Sequence, residues 1–141
     1  MTSKSKDRKM KRTTADRLFE GVKERIKEIN TDPSYCYRIT DAIVFGSYIN
    51  APEKDMISDL DIAIRLERRY APDSPEYKAK QNECTSRDFL VQANWPKEEV
   101  IKHVNGGSHY ISVHTLGRDS EQDAIILSDQ HERIDVGERI L

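Results

Sequence analysis

Ile43-Val44-Phe45-Gly46-Ser47 and, after eleven intervening residues, Asp59-Leu60-Asp61-Ile62-Ala63-Ile64 decide how this chain reads. Residues 40–46 end in a short apolar run closed by Gly46, the pattern of a buried strand meeting a tight turn. Residues 47–58 read as a turn or short helix followed by a loop. Residues 59–66 alternate as a strand, with Leu60, Ile62, Ile64 and Leu66 on one face and Asp59, Asp61, Ala63 and Arg65 on the other. Two aspartates two residues apart on a strand project from the same face, roughly 7 Å apart. Like charges that close repel one another unless a cation sits between them. Hard divalent ions want oxygen ligands, and Mg²⁺ is typically held by one or two carboxylates plus substrate phosphates. A glycine at a strand end lets the backbone approach a ligand closely. Amides of the following turn, with the Ser47 hydroxyl, then suit phosphate oxygens. A Gly-Ser turn alone, or an Asp-x-Asp on an exposed strand face alone, is commonplace; the two together, on strands apolar on their other face, are what point to metal-nucleotide chemistry.

Outward from this stretch, residues 13–30 read as an amphipathic helix. Ala15, Leu18, Phe19, Val22, Ile26 and Ile29 share a face, Thr13 and Asp16 form a capping-box-like start, and Asp32-Pro33 ends it. Residues 67–75 form a polar loop. Helices are expected over 75–94 and from Pro96 to Asn105, the second stopped by Gly106-Gly107. Residues 109–116 alternate as a strand, followed by a short helix at 119–128 and a strand at 132–136. The order predicts a small α/β or α+β layer, a mixed sheet flanked by helices.

A chain of 141 residues is the size of one domain. Charged residues make up 34% and mean hydropathy is −0.77, polar for a globular domain but not the composition of a disordered chain. No apolar run approaches the about 18 residues of a membrane span, and no apolar stretch follows the basic N-terminus, so neither membrane span nor secretory signal is expected. Cys36 and Cys84 form no pair motif, which fits a reducing cytoplasmic setting and no disulfide framework. Net charge is −2, and residues 1–12 carry +5 of it, leaving −7 on the rest. The tail is expected to be a disordered leader, with a nucleic-acid-contacting arm as the alternative; the acidic body opposes a phosphate backbone elsewhere. A single domain is expected over 13–141.

Phe45-Gly46-Ser47 followed by Ser58-Asp59-Leu60-Asp61-Ile62-Ala63-Ile64 resembles the signature of the DNA polymerase beta-like nucleotidyltransferase superfamily. The short chain is most similar to its minimal single-domain branch, some members of which act as antitoxins that transfer nucleotides onto a partner toxin. The resemblance covers residues 42–66. It implies that Gly46 and Ser47 hold the triphosphate of a nucleoside triphosphate. It implies further that Asp59 and Asp61 are catalytic ligands of one or two Mg²⁺ ions, and that an NMP moves to a hydroxyl acceptor with release of pyrophosphate. A catalytically degenerate binding protein, such as the antitoxin half of a toxin–antitoxin pair, is the alternative. Partners implied are a nucleotide and either a toxin-like protein or a second copy of the chain.

Two departures stand out. Minimal members often follow Gly-Ser with arginine and glycine, whereas Tyr48 and Ile49 follow here. Active members also place a third carboxylate on a later strand, whereas 109–116 holds no acid and offers Tyr110, Ser112 and His114 on one face. Glu67 lies about 20 Å along its strand from Asp61. That leaves Asp135 as a weak substitute and His114 as a ligand or base, though a lone strand histidine is more often structural. Tyr48 is a candidate for stacking on a base, against the plainer role of packing. Arg65 is expected to neutralise the acidic face, and Cys84 to be a small core residue.

Overall fold

Ala15, Val22, Ile26 and Ile29 are fully buried along one stripe of helix α1, Arg12–Thr31, as their three- and four-residue spacing requires. The computed structural model describes residues 9–117 and 120–137. Helix α1 ends at Asp32, whose side chain accepts from the Ser34 amide at 2.9 Å. The expected cap at Thr13 is not formed. Lys11 is the N-cap, and Asp16 instead accepts the Tyr48 hydroxyl.

The ordered chain reaches further back than the expected boundary at residue 12. Strand β1, Met10–Lys11, pairs antiparallel with β3, Met56–Ile57. The Arg12 guanidinium donates to three carbonyls, Lys54 at 2.8 Å, Tyr48 at 3.0 Å and Ala51 at 2.9 Å. The start of α1 is thus tied to the loop that follows Gly46; residues 1–8 of the basic tail lie outside the described residues. Hydrogen bonds from a charged donor contribute about 1.5–3 kcal/mol. Arg12→Ala is therefore expected to lower stability by about 2 kcal/mol in chemical denaturation, where a truly disordered tail residue would register nothing.

Four further strands form one sheet in the order β5-β4-β2-β6. They are β2, Tyr37–Phe45; β4, Leu60–Arg68; β5, Ile111–Leu116; and β6, His131–Arg133. Strand β4 runs antiparallel to β2 and parallel to β5, and β6 is antiparallel to β2. Strands β2 and β4 extend beyond the apolar run because Tyr37 pairs with Arg68 and Arg38 with Glu67, polar positions that hydropathy alone leaves in a loop.

The remaining helices are α2, Ser47–Asn50; α3, Pro75–Asn82; α4, Phe89–Asn105; and α5, Ser120–Ser128. The expected helices at 75–94 and 96–105 divide elsewhere. Ser74 caps α3, accepting from the Tyr77 amide at 3.2 Å, and Asp88 caps α4, accepting from the Leu90 amide at 2.9 Å. Pro96 therefore lies inside α4, buried, rather than at its start. Gly106 ends α4 in the left-handed region, as expected.

One face of the sheet, with Ala42, Val44, Leu60, Ile62 and Ile64, packs in a single cluster with Val22, Ile26 and Ile29 of α1 and Val100 and Val104 of α4. The opposite face is half covered. There Ile43, Ala63 and Leu116 pack with Ile126 of α5, and Phe45 flanks them. Ala63, on the strand face that carries Asp61, is fully buried. Among the described residues no helix is long and apolar enough to cross a membrane.

Candidate functional site

The β2–β4 register sets the site. Phe45 pairs with Asp61, so Gly46, the next residue, is brought beside the Asp61 side chain. A Cβ on Gly46 would stand 2.3 Å from Asp61 Oδ2 and 3.2 Å from its Cγ, so the carboxylate fills the space a side chain would need. Gly46 has φ 79° and ψ −160°, a conformation essentially confined to glycine. Its carbonyl accepts from Ile49 at 3.0 Å and Asn50 at 2.9 Å, which turns the chain directly into α2 with Ser47 as its first residue. Gly46, Ser47 and Asp61 are thus brought together, and Asp59 sits immediately ahead of β4.

Asp59 is half-buried, and its carboxyl is pushed above the usual 3.8, first by burial and then by the Asp61 charge. A raised pKa in the folded chain means the folded state binds that proton more tightly than the unfolded state. Ionised Asp59 therefore costs stability above its folded pKa, and the cost is relieved as pH falls through it. Asp59→Asn is expected to raise the melting temperature at pH 7. The gain should shrink as pH is lowered through the carboxylate range, a comparison thermal melts at two pH values make directly.

Across the sheet at this level stand Ser112, Asp61, Phe45 and His131. Two residues along β5, His114 Nε2 lies 3.9 Å from Asp61 Oδ1, and its ring is 5.5 Å from that of Phe45. Ser112 therefore holds the position opposite Asp61, with His114 beside it. Asp135 is not brought to the pair. The Ile134 amide bonds to the Ala42 carbonyl, so the ladder carries Asp135 towards the Asp41 end of β2, and its carboxylate accepts from Gly137 at 2.9 Å. Among the described residues no group of three or more His, Cys, Asp or Glu side chains is gathered to hold a metal. A divalent ion at Asp59 and Asp61 would draw its other ligands from water and substrate oxygens.

Arg65 and Cys84 take roles other than those expected, and Tyr48 takes the plainer packing role rather than stacking. Arg65 forms no ion pair with Asp59 or Asp61; its Nη1 lies instead near Gly117, and four residues of strand separate it from Asp61. Tyr48 is committed to packing, edge-on to Phe19 with centroids 5.7 Å apart and Arg12 over its ring at 5.2 Å. Burial and the Asp16 hydrogen bond raise its pKa. Cys84 is half-buried at the rim of a cleft beside Trp95 rather than in the core. His131, which the sequence did not single out, bonds through Nδ1 to the Asp129 carbonyl at 2.9 Å, while Asn50 of α2 bonds the Asp129 side chain at 3.2 Å. Its one sequence signal was strand alternation in a three-residue strand, too short to read.

Comparison with known proteins gives no match, whether to a family model, to a curated protein or to a solved structure.

Proposed function

We propose that this chain is a divalent-metal-dependent nucleotidyltransferase of the polymerase beta-like kind, moving an NMP from an NTP to a hydroxyl acceptor. The observation that carries the reading is the lodging of the Asp61 carboxylate against Gly46. It joins the turn suited to phosphates to the paired acids suited to a metal. Each half alone is common; their contact gives one place where a metal-bound triphosphate has both its partners.

In this reading Asp59 and Asp61 hold the ion, with Mg²⁺ the fitting choice for two hard oxygen donors completed by phosphate and water. When bound, the ion neutralises phosphate charge and activates the attacking oxygen. Gly46, having no side chain, lets the Asp61 carboxylate stand directly against the turn, and the Ser47 hydroxyl and the turn's backbone amides orient the phosphates beside it. The Asp59 carboxyl is pushed up first by burial and then by the Asp61 charge, and a cation at the two carboxylates would offset both.

A second reading is favoured by Ser112. It occupies the β5 position opposite Asp61, and β5 carries no acid, so no third carboxylate is there to accept the acceptor's proton. The same scaffold would then bind a metal-nucleotide, or a protein such as a toxin, without turnover. Incubation with Mg²⁺ and each labelled NTP separates the two. Release of pyrophosphate with label on an acceptor supports the transferase. Binding of Mg-NTP without release supports the non-catalytic relative. No Mg-NTP binding at all overturns the nucleotide site.

A further inference from the structure

At the other end of β4 lies a polar cleft of about 410 Å³, lined by Tyr37, Arg65, Leu66, Arg68, Lys97 and the segment 115–117. Among the described residues its three charged side chains are all cations, and no acid lines it. This is unexpected in a chain whose residues beyond the tail carry a net −7. Arg65, Arg68 and Lys97 form no ion pair with any described carboxylate. The neighbouring acids are already taken. Asp41, the cross-strand partner of Arg65, lies 3.6 Å from Arg133, Glu67 pairs with Arg38, and Glu99 pairs with Lys80 at 3.2 Å. Arg65 and Lys97 are half-buried, so their charges are screened less than those of freely solvated side chains. Three like charges around one concavity repel one another, and an anion between them relieves that repulsion.

The place in the fold agrees. Strands β4 and β5 are the one parallel pair of this mixed sheet among the described residues, and the cleft opens at their carboxyl ends, the end at which parallel strands of open α/β sheets bind ligands. Arginine suits this task because its planar fork matches phosphate oxygens in pairs. Gly117, with φ 98°, carries the chain away from β5 with no side chain to narrow the mouth. Thr115 adds a hydroxyl.

We propose that this cleft is a second ligand site, for the phosphate group of a compact phosphorylated molecule, held by Arg65, Lys97 and Arg68. It begins about 13 Å from Asp61 and ends about 23 Å away at Arg68, counted along the strand. It is independent of the transferase reading. The ligand is compact rather than polymeric for two reasons. The volume matches a small-molecule pocket, and the net negative charge of the chain beyond residue 12 repels a long polyanion.

Titration calorimetry with pyrophosphate, and separately with AMP, tests it in EDTA at low salt, where metal-dependent binding at Asp59 and Asp61 is silent. Binding with Kd near or below about 1 mM is expected, weakened at least tenfold in Arg65→Gln/Lys97→Gln and unchanged in Asp61→Asn. The amide resonances of Thr115 and Gly117 are expected to shift in the wild-type chain, a readout that stands even if the double variant folds poorly. Absence of binding in EDTA, equal affinity in a folded double variant, or loss in Asp61→Asn alone would overturn the site. A single-stranded oligonucleotide binding more tightly than AMP at the same residues would overturn the compact-ligand assignment.

Discussion

Gly46→Ala is expected to destabilise the protein by about 3 kcal/mol and to displace the Asp61 carboxylate. Two separate costs contribute. The backbone conformation at Gly46, φ 79° and ψ −160°, is one that a residue with a Cβ adopts at about 1–3 kcal/mol. The new methyl would also meet Asp61 Oδ2 at 2.3 Å, well inside contact distance. Asp61 sits in the middle of the sheet, between Phe45 on β2 and Ser112 on β5, so its backbone cannot retreat and its side chain must rotate away. Asp61→Ala in the Gly46→Ala background separates the two costs. The steric part is recovered and the backbone part remains, so the pair couples in a double-mutant cycle by about 1–2 kcal/mol. A Gly46→Ala variant with an unchanged urea midpoint would mean that the turn and the carboxylate do not touch in solution.

The same contact shows what was legible in the sequence. Strand β4 is legible because Leu60, Ile62 and Ile64 alternate over residues that are all needed inside, and α1 because its apolar residues keep helical spacing over about four turns. What periodicity does not carry is register. That Gly46 meets Asp61, that Ser112 and not Tyr110 faces it, and that Asp135 is carried away from it depend on how strands distant in sequence slide against one another. The α3–α4 boundary was misread for a local reason. Proline is favoured at a helix start, so Pro96 outweighs Asp88, whose role as a cap is masked by the exposed Phe89-Leu90-Val91 that follows it. Arg12 was invisible for the opposite reason. It looks like one more charge in a basic leader, and only the fold brings the carbonyls of Tyr48, Ala51 and Lys54 to its guanidinium. The cover of Ala63 is not legible locally either, since Ile126 arrives from a helix near the far end of the chain.

Asp61→Asn is expected to cut labelled nucleotide transfer by at least about 100-fold while leaving stability at neutral pH unchanged or slightly higher. Asparagine has the shape of aspartate, so it keeps the packing against Gly46 and the place between Phe45 and Ser112. On the proposed reading it removes one of the two charges that would hold the metal ion and its triphosphate. It also removes the charge that helps push the Asp59 carboxyl up, so the folded state loses a repulsion rather than an attraction. The only described cation-forming group near Asp61 is His114 at 3.9 Å, and losing that long contact costs little in a site this open to solvent. Activity and stability should therefore move in different directions. A residue that merely supports the sheet would show both falling together. Parallel loss of melting temperature and transfer would return Asp61 to the scaffold, and undiminished transfer would remove it from the chemistry altogether.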